Sequence, residues 1–326
     1  MAKKESANLK KALAALDKRF GENTVMKMDK ASVDIETISS GRPKLDSALG
    51  GGFGKGKIVE IYSENGCGKT GLALDTAAQV QKNGGRVAIV DAEHALNTEY
   101  CKEVGVNIED IYFSQPDYGE QAVEVVRALV GSGEFDLIII DSIAAMTPRA
   151  IIEGESGQAH MAVQARMMGQ FMAMIKGPAS DAGCTLLCIN QIRETLAMYG
   201  SPITTPGGKA LKFYASQRLE IKRKGDVKAG TDVIGFNQHI KIVKNKLAPP
   251  FQTVDSVIVF GKGIDTLTDL IEACVFEEVI IKKGAFFEYD PECAKVQGMK
   301  KLRELLEDNP DLVDVLQERL NKALGK

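Results

Sequence analysis

YSENGCGKT, residues Tyr62–Thr70, ends in Gly68-Lys69-Thr70, the close of a phosphate-binding loop. In the usual pattern a glycine opens such a loop, and here that place holds Ser63, with a glycine inside the loop at Gly66. The flanks decide the meaning. IVEIY (58–62) reads as a strand, and Lys69 to Lys82 reads as a helix. A loop that leaves a strand and enters a helix points backbone N–H groups and the helix N-terminus at an anion. Ser63, Glu64, Asn65, Gly66, Cys67, Gly68, Lys69, Thr70 and Gly71 are therefore expected to surround a nucleotide. Lys69 would supply a cation to the β/γ-phosphates, and Thr70 a hydroxyl to Mg²⁺. Ser63 is small and Gly66 adds backbone freedom, so the substitution does not read as fatal.

Outward from the loop, strands and helices alternate. RVAIVD (86–91), IYFSQ (111–115), DLIIID (136–141) and TLLCIN (185–190) read as strands. Asn97 to Val104, Glu120 to Val130 and Met161 to Lys176 read as helices. Continuously apolar strands such as DLIIID are buried on both faces. The pattern predicts an α/β fold: a phosphate-loop NTPase core with a mostly parallel central sheet flanked by helices. QRLEIKR (217–223) and NQHIKIVKNK (237–246) alternate with period two and predict strands added at the sheet edge, with lysines on one face. Gly41 to Gly56 reads as turns, and residues 194–208 as a long polar loop of the kind that is usually functional or disordered. Ahead of the core, Leu9, Leu13, Leu16 and Phe20 fall at helical spacing, with Gly21 as a stop. The expected domains are an N-terminal helical arm (1–32), the core (33–264) and a small C-terminal α/β appendage (265–326).

Composition narrows the class. The chain has 326 residues, a net charge of -3 and six cysteines. No CxxC pair occurs, which argues against zinc ribbons and disulfide frameworks, and Cys184 and Cys188 in the TLLCIN region read as core. No apolar run approaches the roughly 20 residues of a spanning helix, and no signal-peptide core opens the chain. A cytoplasmic protein without a membrane partner is expected. From Lys209 to Lys246 ten Lys or Arg face three Asp or Glu, a local excess that suits a polyanion.

Three more side chains belong beside the loop, because ligands bind at the carboxyl ends of parallel strands. Asp141 ends LIIID, where a carboxylate meets Mg²⁺ directly or through water. Glu93 follows VAIVD and can orient or deprotonate the water attacking the γ-phosphate, with Asp91 as its competitor and His94 as a structural neighbour. Gln191 follows TLLCIN and opens the long loop. Its amide could bond a γ-phosphate and report nucleotide state to that loop.

In SSGRPKLDSALGGGFGKGKIVEIY, VDAEHALNTEY, IIIDSIAAMTPRAIIEGE, HMAVQARMM, INQIR, TTPGGKALKFYAS and IKIVKNKLAPPF the chain resembles the bacterial RecA family of strand-exchange proteins, over about residues 35–262. The resemblance implies a RecA-type fold and a DNA-dependent ATPase that polymerises on single-stranded DNA and pairs homologous strands in recombinational repair. It implies that Lys69, Thr70 and Asp141 bind ATP and Mg²⁺, that Glu93 is the catalytic carboxylate, and that Tyr100 stacks on the adenine. Lys244 and Lys246 would reach the γ-phosphate of a neighbouring protomer in a helical homopolymer, and the N-terminal helix would pack on the next protomer. Glu153 to Ala162 resembles the family's first DNA loop and Asn190 to about Thr205 its second, and Met161, Arg166, Arg193, Met198, Tyr199, Gly207 and Gly208 match DNA-contacting positions. Lys222, Arg223 and Lys241 match a secondary site for double-stranded DNA. A LexA-like repressor is a further partner of the family.

The chain departs from the family pattern at Ser63, Gly66, Cys67 and Gly71, at Asn97 and Ala173, and in a second DNA loop one residue shorter. The last 28 residues carry six basic and six acidic side chains, so the acidic tail of many relatives is not matched and less Mg²⁺-dependent inhibition of duplex binding is expected. Cys67, among N–H dipoles and near Lys69, is expected to favour its thiolate, so that alkylation would block ATP. Alternatives are a related DNA motor, such as a hexameric helicase or a zinc-ribbon repair ATPase, and an ATP-gated DNA-binding scaffold.

Overall fold

The computed structural model describes residues 6–22, 24, 25, 27, 36–154, 160–194, 203–289 and 295–324. The chain divides into two compact units, Met1–Glu36 and Thr37–Lys326. The first holds α1 (Ala7–Phe20), started by Ser6, whose hydroxyl accepts the Leu9 N–H at 3.2 Å, and ended by Gly21 at φ +105°. Leu9 and Phe20 on this helix are exposed.

The second unit opens with β1 (Thr37–Ile38), α2 (Pro43–Leu49) and β2 (Phe53–Gly54). The turn-like reading of Gly41–Gly56 is therefore corrected, since a short helix lies within it. Pro43 presets its first turn, left-handed Gly50 closes it, and Leu45 and Leu49 are fully buried. Then come β3 (Ile58–Ser63), α3 (Lys69–Lys82), β4 (Val87–Asp91), α4 (Thr98–Glu103), β5 (Ile111–Ser114), α5 (Gly119–Gly131) and β6 (Leu137–Asp141). After α6 (Arg149–Ile152), α7 (His160–Asp181) and β7 (Thr185–Gln191), the short pair β8 (Arg193–Glu194) and β9 (Ile203–Thr204) brackets the second long loop. A one-turn α8 (Ala210–Tyr214) leads into β10 (Gln217–Ala229), β11 (Asp232–Asn245), β12 (Thr253–Val259) and β13 (Gly263–Ile264).

These form a nine-stranded sheet in the order β13-β12-β11-β10-β3-β7-β6-β4-β5. From β10 to β5 every neighbouring pair is parallel, and β11 to β13 continue antiparallel. The expectation that 217–223 and 237–246 lie at the sheet edge needs correction. β10 is bonded in parallel to β3 from Gln217↔Val59 to Ile221↔Ser63, inside the sheet, while β12 and β13 lie beyond β11. Gln217, Leu219 and Ile221 are buried because this half of β10 crosses the core.

Alternate side chains feed two separate cores, one on each face of the sheet. Val59, Ile61, Ile89 and Ile139 pack with Leu72 and Leu74 of α3. Ile58, Val90, Ile138 and Ile140 pack with Val126 of α5 and Phe171 of α7. Each such fully buried aliphatic side chain stabilises the fold by about 1.5–3 kcal/mol. The C-terminal appendage is α9 (Thr266–Phe276), an antiparallel sheet of β14 (Ile281–Lys283), β15 (Phe286–Glu288) and β16 (Lys295–Gln297), then α10 (Met299–Glu307) and α11 (Pro310–Ala323). It has its own core, with Ile271, Cys274, Leu302, Leu316 and Leu320 buried. Among the described residues no helix is long and apolar enough to cross a membrane.

Candidate active site

Four neighbouring parallel strands, β3, β7, β6 and β4, end on one rim, and register fixes which residues arrive together. Ser63 lies beside Gln191, and Asp141 beside Asp91. The rim opens into a cleft of about 460 Å³ lined by Gly66, Gly68, Lys69, Thr70, Glu93, Tyr100, Asp141 and Gln191, among others.

The loop from Ser63 to Lys69 places its special backbone angles on glycines: Gly66 at φ +72° and Gly68 at φ +85°. Ser63 is not among the non-glycine residues with positive φ, so no glycine is required where the usual pattern has one. Its hydroxyl accepts a hydrogen bond from the Lys69 ammonium at 3.0 Å and donates to the Glu64 carbonyl at 2.5 Å. The ammonium also donates to the Glu64 carbonyl at 2.8 Å and lies 3.4 Å from the Ser63 carbonyl. Burial draws Lys69 below the usual lysine range.

The Thr70 hydroxyl donates to Asp141 Oδ2 at 2.7 Å, which makes a hydroxyl–carboxylate pair at the foot of the loop. Burial pushes the Asp141 carboxyl up to about 6. A desolvated carboxylate next to a hydroxyl is a hard-oxygen donor set that suits Mg²⁺, which takes one or two protein oxygens and the rest from phosphates and water.

Glu93 Oε1 accepts two hydrogen bonds, from the Ser142 hydroxyl at 2.5 Å and from the Gln191 amide at 2.9 Å. One carboxylate oxygen is thus tied both to the residue after Asp141 and to the start of the second long loop. Asp91, its competitor on sequence grounds, is otherwise engaged. It is buried and accepts from the N–H groups of Glu93, Ala95 and Leu96 and from the Gln115 amide, at 3.1–3.3 Å. It shapes the turn that presents Glu93. His94 takes left-handed φ +55° in that turn, with its ring nitrogen 3.4 Å from the Pro116 carbonyl.

Tyr100 projects from α4 over the start of α3. A β-carbon on Gly71 would come within 2.9 Å of its hydroxyl, so the glycine there admits the ring. Asn97 caps α4 by accepting the N–H groups of Glu99 and Tyr100. Phe236 and Phe260 also line the cleft, and the sequence reading missed them. They arrive on β11 and just past β12, and strand alternation alone could not say that this face meets the loop.

Cys67 requires a correction. It is 5 % exposed and packs into the core under the loop, with its thiol 3.7 Å from the Asn65 carbonyl. A reagent meets it only when the loop opens.

The expected DNA-contacting residues separate. Arg166 and Arg193 are exposed. Gly207 and Gly208 adopt φ +82° and +75°, and a β-carbon would press on Met168 and Ala165 of α7 at 3.1 and 2.8 Å, so backbone and packing already require glycine there. Lys222 and Lys241 are exposed, and opposite pairing with His239 and Glu220 puts them on one sheet face. Arg223 points to the other face, because successive strand residues alternate. Its guanidinium lies 4.8 and 5.9 Å from the Phe236 and Phe260 ring centres, two rings that line the cleft, and pairs with Asp226 at 2.7 Å. Met198, Tyr199 and the side chain of Met161 lie outside the described residues.

Lys244 and Lys246 are at the opposite end of the sheet. Asn245 pairs with Gln217, and Gln217 with Val59, so they stand beside the start of β3 whereas the loop leaves its end. Lys244 donates to the carbonyls of Lys212 and Phe213 at 2.9 and 3.1 Å. The length of β3 alone, roughly 3.3 Å per residue, separates them from the cleft of their own chain.

The RecA N-terminal domain family matches residues 7–265. Over 95 % of this chain and 88 % of the relative, the sequence is 45 % identical to Protein RecA of Macrococcus caseolyticus. It is 47 % identical to Protein RecA of Streptomyces venezuelae, over 96 % of this chain and 84 % of the relative. It is 45 % identical to Protein RecA of Rubrobacter xylanophilus, over 100 % of this chain and 95 % of the relative.

Proposed function

The chain belongs to the RecA family, a DNA-dependent ATPase family of recombinational repair and strand exchange, and from that premise we propose how its rim binds and hydrolyses ATP. The observation that carries the reading is the delivery of Lys69, Thr70, Asp141, Glu93 and Gln191 to one cleft by four adjacent parallel strands. The N–H groups of the loop and of the first turn of α3 receive the phosphates. Lys69 leaves its carbonyl and hydroxyl acceptors for the β/γ-phosphates. Thr70 and Asp141 would hold Mg²⁺, which would supply neutralising charge for the phosphates. Glu93 orients the attacking water and takes its proton as the γ-phosphoryl is transferred. Tyr100 covers one face of the adenine, in a cleft that Phe236 and Phe260 also line.

The Glu93–Gln191 bond supports a coupling role. Gln191 ends β7, and β8 follows at once with Arg193 at the edge of the second long loop. When a γ-phosphate competes for the Gln191 amide, the bond to Glu93 is released, which frees the carboxylate for water and moves the root of the DNA loop. Arg166, Arg193, Gly207 and Gly208 face the primary single strand, in company with Met161, Met198 and Tyr199. Lys222 and Lys241 form a basic face for duplex DNA. Arg223 is assigned to these two rings instead. Lys244 and Lys246 act on a neighbour's γ-phosphate in a helical homopolymer that α1 helps to join. The filament works in the cytoplasm and can present itself to a LexA-like repressor.

ATP hydrolysis measured with and without single-stranded DNA, together with a D-loop assay, tests this reading. Hydrolysis stimulated by DNA and homologous pairing in ATP are expected. Hydrolysis without pairing would leave the chain a motor, and pairing that persists in Lys69→Ala would remove the cleft from the reaction.

A further inference from the structure

A buried polar chain runs beneath the phosphate loop and takes no part in the roles assigned so far. Gln238 of β11 is fully buried, and its amide nitrogen donates to the carbonyl of Cys67, inside the loop, at 2.5 Å. The Gln238 amide oxygen accepts from Arg42 Nη1, also at 2.5 Å, which fixes the amide in the orientation that gives its N–H₂ to the loop. Arg42 is 1 % exposed. Its Nε and Nη2 both donate to Asp75 Oδ2, at 2.8 and 2.7 Å. Asp75 sits on α3, the helix that Lys69 and Thr70 open. The chain therefore closes on itself: loop, β11, the segment before α2, then back to the helix that begins at the loop.

We propose that Gln238, oriented by Arg42 and Asp75, is a positioning residue for ATP binding that holds the Cys67–Gly68 peptide so that the Gly68 and Lys69 N–H groups face the phosphates. The proposal rests on the nucleotide reading of the cleft. Three observations carry it. The Cys67 carbonyl has the Gln238 amide as its side-chain donor. Gly68 approaches that amide so closely that a β-carbon would lie 2.6 Å from Nε2, so the loop backbone is seated directly on Gln238. Finally, Arg42 and Asp75 are both buried, and burying two charges is costly unless their geometry is well satisfied. Here Nε and Nη2 reach Asp75 on the helix that the loop opens, and Nη1 reaches the amide on which the loop is seated. Gln238 also lies on the strand that carries Lys241 and ends beside Lys244 and Lys246, so a shift of β11 at a subunit boundary would reach the loop through this amide.

Two variants separate positioning from mere stability. Gln238→Glu keeps an oxygen for Arg42 and adds an ion pair, but turns a carboxylate oxygen toward the Cys67 carbonyl. Gln238→Met keeps the volume and removes both bonds. Wild type and variants are compared by melting temperature, by affinity for a fluorescent ATP analogue, and by KM and kcat of the DNA-stimulated ATPase. Both variants are expected to weaken nucleotide binding and raise KM by about tenfold, with kcat within about twofold. The Glu variant should do so at temperatures where it is fully folded, since a second buried carboxylate facing a carbonyl lowers the melting temperature on its own account. If the Met variant does not fold, the Glu variant alone decides. A folded Glu variant with wild-type affinity and KM would overturn the proposal, as would an ATP defect that disappears when the assay is run well below the variant's melting temperature. A wild type that binds no ATP analogue would instead overturn the reading of the cleft.

Discussion

Ser63→Gly restores the glycine that usually opens a phosphate loop, and the structure gives that change two opposite effects. Ser63 is fully buried, its backbone is not left-handed, and its hydroxyl bonds the Lys69 ammonium at 3.0 Å. Removing the hydroxyl takes one acceptor from a buried cation, a bond of about 1.5–3 kcal/mol when made to a charged group. Lys69 keeps the Glu64 carbonyl at 2.8 Å and the Ser63 carbonyl at 3.4 Å, which replace part of what is lost, so the net loss falls below that range, to about 1 kcal/mol. Glycine at the end of β3 adds about 0.5–1 kcal/mol of backbone entropy. The nucleotide-free protein should lose about 2 kcal/mol of stability. ATP binding moves the other way. The ammonium leaves its acceptors for the phosphates, so an acceptor already removed no longer competes, and about 1 kcal/mol of the loss returns as affinity, roughly fivefold. Thermal melts without nucleotide and titration with a fluorescent ATP analogue read the two quantities. A variant that binds ATP threefold more weakly would refute the reasoning, because it would make the Ser63 hydroxyl a phosphate ligand rather than a resting place for Lys69.

Glu93→Gln keeps an oxygen for Ser142 and Gln191 but removes the base that we propose. Hydrolysis should fall by about 10²–10⁴, with ATP and DNA binding retained, and a loss below tenfold in single-turnover assays would point to another base. All five described cysteines, Cys67 included, are buried, and burial pushes Cys184 and Cys274 up to about 12. Native protein at pH 8 should therefore leave these five unlabelled by iodoacetamide over a time that fully labels unfolded chain, and peptide mapping that finds Cys67 alkylated within minutes would contradict its seating. Protomers carrying Lys69→Ala mixed with protomers carrying Lys244→Ala and Lys246→Ala should regain part of the ATPase that neither has alone, since one partner supplies an intact loop and the other intact lysines. An additive, inactive mixture would place the lysines outside the reaction.

The sequence announced what depends on local pattern and was silent on what depends on which faces meet. IVEIY, GKT and the following helix identify the loop because strand, turn and helix each carry their own periodicity. The carboxyl-end rim followed from the rule that parallel strands place ligand-binding residues at one end, and Asp141, Glu93 and Gln191 lie there. From the residues alone Asp91 stays a competitor of Glu93, because what sets them apart is who donates hydrogen bonds to Asp91, a tertiary fact. Pro43 and Gly50 bracket α2 in the customary way, but the glycines around it concealed a seven-residue helix. The same limit explains Cys67. N–H dipoles and a nearby lysine argue for a reactive thiolate, yet the direction of one Cα–Cβ bond sends the sulfur into the core.

Strand direction makes the strongest link between fold and function. β10 runs parallel to β3 and β11 returns antiparallel, so β11 passes the phosphate loop at Gln238 and finishes at the far end of the sheet with Lys244 and Lys246. A single chain thus has a strand that touches the loop from below and ends in cations that cannot reach its own cleft. If those cations serve a neighbour's nucleotide, each β11 spans two sites, one through Gln238 and the other through its terminal lysines. A displacement along that strand by ATP bound in one cleft would then be felt in the next, and ATP occupancy would pass along a filament through the length of one β-strand.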